Sequence, residues 1–191
     1  MSRLLTTFAL GYHGCENEVA DRIIAHNEEF TLSTNQNDWL GDGVYFWEAN
    51  PYKALDWAKE KKFERPAVVG AIIDLGNCLD LLNQNDQDEV SRSFDDLKKS
   101  FEALGESNPL PENNIKTGNH VLDCMVINNL HQDNIFQQIP PYDTVRGMFQ
   151  EVSARALYHT SAIFRGSHIQ ISVRNAKASI KGVFRPPELN K

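Results

Sequence analysis

The stretch Asp38-Trp39-Leu40-Gly41-Asp42-Gly43-Val44-Tyr45-Phe46-Trp47-Glu48 joins a tight turn to an aromatic strand. Two glycines bracket an acidic residue, and glycine reaches positive φ without steric cost. Val44-Tyr45-Phe46-Trp47 combines β-branched and aromatic residues that fit a pleated, half-buried surface, which predicts a strand. Successive strand side chains alternate between faces. Tyr45 and Trp47 therefore share one face, and Val44 and Phe46 the other. One pair can be buried while the aromatic pair lines a cleft. Phosphate-cradling glycine loops precede a helix, whereas this one precedes a strand, so taken alone it reads as a plain turn.

Upstream lies Gly11-Tyr12-His13-Gly14-Cys15. A strand over residues 4–13 would deliver His13 at its end, followed by a helix over Glu16 to Glu29 with Val19, Ile23 and Ile24 as its apolar stripe. Phe30 to Gly43 is polar and reads as a loop. Downstream, Pro51 at a first-turn position opens a helix reaching about Lys62, with Ala54, Leu55 and Ala58 inward. Ala67 to Leu82 contains a nearly continuous apolar run, as expected for a strand covered on both faces, punctuated by Gly76-Asn77. Val90, Phe94, Leu97 and Phe101 give Gln84 to Leu104 a helical period. Residues 106–118 read as a surface loop and His120 to Asn129 as a helix. Thr144 to Phe149, His168 to Arg174 and Ser179 to Phe184 are strand candidates. Strands and helices mix without clean βαβ alternation, so the class is α+β.

The chain of 191 residues carries 41% hydrophobic and 24% charged residues, which suits one soluble globular domain. Its net charge of -7 argues against broad, non-specific nucleic-acid binding. However, Arg146, Arg155, Arg165, Arg174, Lys177, Lys181 and Arg185 gather towards the end. They read either as an ordinary solvated surface or as a face for phosphates. No stretch approaches the roughly 18 apolar residues of a membrane span. Residues 1–10 lack a signal peptide's apolar core, so a cytoplasmic location without membrane association is expected. Cys15, Cys78 and Cys124 show no C-x-x-C spacing, which favours reduced thiols. No histidine pairs with metal-ligand spacing, so no metal is expected. A Cys15–His13 nucleophile pair is conceivable, but it lacks a third group to orient the histidine.

In order, Tyr12-His13-Gly14-Cys15, Ser33, Gly41-Asp42-Gly43-Val44-Tyr45-Phe46 and the helix carrying Ala54-Leu55-Asp56-Trp57-Ala58 resemble the ADP-ribosyltransferase fold. The likeness is to its diphtheria-toxin-like and poly(ADP-ribose)-polymerase-like branch. There a Y-H-G-[TS] string supplies a histidine and a G-x-G-[IV]-Y-F string a tyrosine. Cys15 stands where a small hydroxyl residue is usual. More weakly, Val68 to Leu75 with Gly76-Asn77, then Asp143-Thr144-Val145-Arg146-Gly147 and His168-Ile169-Gln170-Ile171-Ser172-Val173, resemble later strands of the fold. The chain is also similar to a group of small bacterial proteins of this fold, some of them toxins in defence modules. Among these are the messenger-RNA-modifying toxins of toxin–antitoxin–chaperone anti-phage systems.

The resemblance implies split mixed or antiparallel sheets with flanking helices around an NAD cleft. It implies one domain over 1–191 with a mostly helical insertion at about 83–140. The implied activity is mono-ADP-ribosyl transfer from NAD to an RNA or protein acceptor. An NAD glycohydrolase and a non-catalytic NAD- or ADP-ribose-binding module are the alternatives. A neutralising antitoxin protein, and a chaperone, are the implied partners. His13 would bond a 2′-hydroxyl of the adenosine ribose, and the Gly14 backbone would hold the nicotinamide carboxamide. Tyr45 would stack on the nicotinamide ring, and Ser33 would reach the pocket. The family's catalytic glutamate aligns with Gln170, which is neutral. Glu151 is the nearest upstream acid able to supply the missing charge, and His168 would help position the acceptor.

Overall fold

The computed structural model describes residues 8–105, 108–151 and 155–189. Seven strands form one mixed sheet: β1 (Phe8–Glu16), β2 (Val44–Glu48), β3 (Pro66–Asp74), β4 (Cys78–Asp80), β5 (Thr144–Phe149), β6 (His168–Val173) and β7 (Ile180–Phe184). The helices are α1 (Asn17–His26), α2 (Pro51–Glu60), α3 (Gln84–Leu104), α4 (Val121–Phe136) and the short α5 (Ala176–Ser179). The strand order is β4-β5-β6-β2-β1-β3-β7. Only the β4–β5 pair is parallel. A parallel pair needs a long crossover, and α3 and α4 lie in it.

The sheet is uneven. β1 pairs with β3 along its whole length, from Phe8–Asp74 to Glu16–Pro66. It pairs with β2 only at Gly11–Glu48 and Tyr12–Trp47. Hydrogen bonding thus makes one sheet rather than separate ones, but β1 and β2 part immediately after Tyr12. His13 is the first residue beyond the parting.

Alternation along β2 places the core and the cleft on opposite faces. Val44 and Phe46 are buried with Ala71, Ile73, Ile171 and Val173. α1 covers the same face through Ala20 and Ile23 on Cys15 and Val69. On the other face α2 packs Ala54 against Tyr12, Trp47 and Val68. α4 packs Ile127 and Leu130 on Leu79 and Val145. Between α2 and α4 that face stays open, floored by β2, β6 and β5.

Two helix ends differ from the sequence reading. The first helix stops at His26 rather than Glu29, because Asn27 adopts a left-handed φ of 52° and its N–H closes on the Arg22 carbonyl. α4 runs to Phe136 rather than Asn129. Asn128 and Asn129 continue the helix with their side chains bonded within the fold: Asn128 to Asp42, and Asn129 to Asp133 at 2.9 Å. Of the expected first strand, residues 4–7 lie outside the described residues.

Candidate functional site

The open face forms a cleft of about 630 Å³, lined by His13, Ser33, Asp38, Trp39, Tyr45, Trp47, Lys53, Trp57, His120, Phe149, Glu151, His168 and Gln170 among others. That volume falls within the roughly 300–1,000 Å³ usual for small-molecule sites.

The β1–β2 parting builds the first wall. His13 Nδ1 lies 2.8 Å from the Tyr45 carbonyl oxygen. A carbonyl only accepts, so Nδ1 carries the proton and Nε2 is left as a bare acceptor. Burial lowers the His13 pKa, opposed by the bond to the Tyr45 carbonyl, so the ring stays neutral. Phe30 and Phe46 meet it at 5.4 and 5.7 Å between ring centres.

Tyr45 is fixed through its hydroxyl, which accepts from the Leu40 N–H and donates to the Gly41 carbonyl, both at 2.9 Å. Burial raises its pKa. The ring, rather than the hydroxyl, is what Tyr45 offers the cleft. The glycine turn makes this possible. Gly41 has φ 73°, and a Cβ on Gly43 would stand 2.1 Å from Ser172 Oγ. Asp42 anchors the turn to α4 by paired bonds with Asn128 of 3.0 and 2.8 Å. Ser33 pairs with Gly43 through backbone bonds of 2.9 and 3.0 Å, which brings it to the rim.

The second wall is a relay of side chains. Trp39 Nε1 donates to Gln170 Oε1 at 2.7 Å, and Gln170 Nε2 lies 3.0 Å from His168 Nε2. His168 Nδ1 lies 2.7 Å from the Gly166 carbonyl oxygen. The proton is therefore on His168 Nδ1, and His168 Nε2 accepts from the Gln170 amide. Burial lowers the His168 pKa. Phe149 is the hub of the packing here, with Trp39, His120 and His168 at 5.4, 5.5 and 5.4 Å. Gly147 must lack a side chain, because a Cβ would stand 2.7 Å from the Trp39 ring.

Two buried polar atoms in this cleft lack a partner among the described residues: the Trp47 indole N–H donor and His120 Nε2. An unpaired buried polar atom is costly, and these suit a ligand that both accepts and donates. Burial pushes the Asp38 carboxyl above its usual range, though its bond from Ser33 opposes this. Glu151 forms an ion pair with Lys53 of α2.

Most of the residues singled out by sequence thus converge: His13, Ser33, Tyr45, Glu151, His168 and Gln170 all line the cleft. Gly14 does not. Its missing Cβ serves packing, since one would stand 2.2 Å from the Ala54 carbonyl oxygen of α2. Cys15 is buried beneath α1 and its thiol is pushed up to about 11 by burial, so it is no thiolate nucleophile at neutral pH. The cationic C-terminal stretch is largely consumed internally. Arg146 bonds Glu48 and Asp80, Arg174 bonds the Asp42 carbonyl and Asn128, Lys181 pairs with Asp74, and Arg185 pairs with Asp21. Trp39, Asp38, Lys53, His120 and Phe149 had no role assigned from sequence. Only Trp39 and Asp38 carried a signal, by lying in the turn–strand string. No cluster of three histidine, cysteine or acidic side chains fit to hold a metal occurs among the described residues. No helix among them is long and apolar enough to cross a membrane.

No protein-family profile matches the chain. It is similar to an uncharacterized protein of Methanocaldococcus jannaschii, 39% identical over 56 residues. The match covers 28% of this chain and 25% of that relative's length. No solved structure matches.

Proposed function

We propose that the cleft binds NAD and that the chain is a mono-ADP-ribosyltransferase. One observation carries the reading. The histidine and the tyrosine picked out by the two motifs form one unit, joined at 2.8 Å across the parting of β1 and β2.

NAD is the substrate in this reading. Its glycosidic bond breaks with both electrons passing to the nicotinamide nitrogen, and positive charge develops on the ribose. Orientation and electrostatics are then the main demands on the protein. His13 meets the first: its bare Nε2 accepts a hydrogen bond from a ribose hydroxyl and fixes that hydroxyl's direction. Tyr45 presents a ring whose position is locked at the hydroxyl end, suited to stacking on the planar nicotinamide. The unpartnered Trp47 N–H is a donor for a carbonyl such as a carboxamide's. Glu151 and Asp38 supply carboxylates to the cleft, and Gln170 supplies a fixed amide that carries no charge. An oxocarbenium-like centre is stabilised by carboxylates rather than by neutral amides. The negative charge therefore falls to Glu151, with Gln170 orienting hydroxyls.

The acceptor, RNA or protein, and the neutralising antitoxin and chaperone rest on the resemblance alone. Incubation with NAD labelled in its adenylate half tests the reaction. Label transferred to a macromolecule supports the transferase. Free ADP-ribose alone reduces the reading to a glycohydrolase, and intact NAD reduces it to a binding module. Digestion of the labelled product with nuclease or protease identifies the acceptor.

A further inference from the structure

Among the described residues, the Lys53–Glu151 ion pair is the contact that neutralises the carboxylate the proposed reaction needs. Lys53 stands in the first turn of α2, and Glu151 follows β5, so the pair reaches from one wall of the cleft to the other. Glu151 is also seated against Gly166, where a Cβ would stand 3.3 Å from its carboxyl carbon. This places it beside the loop that anchors His168. The two side chains remain 28% and 30% exposed. A pair this open holds together weakly. A ligand of higher negative charge can take the ammonium from it.

We propose that Lys53 recognises the diphosphate of the dinucleotide, and that its capture by the diphosphate releases Glu151 to face the ribose. This deepens the proposed function and rests on that reading of the cleft. The physical basis is competition. Phosphate oxygens are acceptors only, and an ammonium binds them through charge-assisted bonds. A diphosphate carries more charge than one carboxylate. Binding of the non-reacting part of the substrate therefore becomes the condition for charge at the reacting centre, a use of remote binding energy that favours whole substrate over fragments. A nicotinamide nucleoside without the diphosphate would stack on Tyr45 yet leave Glu151 paired. Lys53 is in this sense a specificity-determining and positioning residue. Its side chain can be changed without losing the helix cap, because the bond to Asn50 comes from its backbone N–H, at 3.0 Å.

Two measurements on the full chain test this. The first is calorimetric binding of inorganic pyrophosphate, which needs no turnover. Lys53→Gln is expected to weaken it at least about tenfold, Lys53→Arg to keep most of it, and Glu151→Gln to tighten it by about threefold or more through removal of the competitor. Unchanged binding in Lys53→Gln, or no tightening in Glu151→Gln, overturns the proposal. The second is nicotinamide release from NAD and from nicotinamide riboside. Lys53→Gln should lower kcat/KM on NAD by about tenfold while leaving the riboside rate unchanged or raised. An equal fall on both substrates, with melting temperature preserved, marks a merely structural lysine and also overturns it. If the wild-type chain consumes neither substrate, the transferase reading fails, and the pyrophosphate result alone then decides the role of Lys53.

Discussion

The two walls of the cleft are held by different kinds of bond. On the β1–β2 side the functional groups are tethered to backbone. His13 is held by the Tyr45 carbonyl, and Tyr45 by the Gly41 carbonyl and the Leu40 N–H. On the β5–β6 side they are tethered to one another, from Trp39 to Gln170 to His168, and only the last link ends on backbone. A backbone anchor leaves one arrangement. A chain of side chains can reverse: protonating His168 would remove its acceptor, turn the Gln170 amide and strip Trp39 of its partner. The first wall is thus built for position, and the second is open to retuning.

The sharpest break falls on the first wall. His13→Ala and Tyr45→Ala are each expected to cut nicotinamide release by about two orders of magnitude or more, as loss of one preorganised transition-state contact typically does. Tyr45→Phe separates the ring from its tether. It should keep most of the turnover while costing about 1–3 kcal/mol of stability, because the Leu40 N–H and Gly41 carbonyl lose their partner. Urea unfolding read beside initial rates distinguishes the two outcomes. If Tyr45→Phe is as inactive as Tyr45→Ala, the hydroxyl does chemistry and the wall has been misassigned.

A third histidine under the α4 wall shows what the same anchoring does without a cleft. His131 Nδ1 bonds the Ile127 carbonyl at 2.8 Å, and its Nε2 is buried without a partner among the described residues. Burial, with Arg174 nearby, lowers its pKa from 6.5 to about 4. The unfolded chain therefore binds a proton between pH 6.5 and 4 that the folded chain refuses. Stability conferred by the neutral ring is complete above pH 6.5 and drains away as pH falls towards 4, by about 3 kcal/mol. His13 and His168, also lowered by burial, add in the same direction. Urea midpoints measured across that range should show a steep acid limb in the wild type and a flatter one in His131→Leu. Equal slopes would mean that His131 is already charged in the fold.

What could be read in advance follows this division. The turn and the β2 strand come from one short contiguous string, where glycine freedom, strand propensity and alternation act locally, while His13 and Tyr45 were paired by the resemblance of their two strings to a family. The second wall could not be read that way. Trp39 and Gln170 are 131 positions apart, and His120 and Phe149 meet across separate elements. Periodicity tells which face a residue occupies but not which distant element arrives there. Gln170 was found by alignment with a family strand, and Lys53 by nothing in its own neighbourhood. Charge counting erred for a related reason. Arg146 and Arg174 look like surface cations until Glu48, Asp80 and Asp42 are brought beside them.

Gln170→Glu retunes the second wall without removing it. A carboxylate can still accept from Trp39, but it has no proton to give His168 Nε2. The histidine must then supply the hydrogen itself, and it becomes the cation of an ion pair. Its pKa, now held down by burial, should rise by about one unit or more. The imidazole resonances of His168 followed by NMR against pH read this directly, and the acid side of the rate profile should move with them. An unmoved titration would show that the Gln170–His168 contact at 3.0 Å is not a hydrogen bond that the amide donates.

The mildest change removes the first link. Trp39→Phe deletes the N–H that holds Gln170 Oε1 but keeps an aromatic ring above Gly147 and beside Phe149. Because Gln170 lines the open cleft, water can take the vacated place on its oxygen. The expected cost is therefore only about 1 kcal/mol in stability and a fall in kcat of less than about tenfold, with KM for NAD unchanged. Loss of an orienting bond lowers the fraction of productive complexes without weakening the stacking on Tyr45. A rise in KM with kcat intact would place Trp39 in ligand binding instead, making this wall, like the first, one that acts by position.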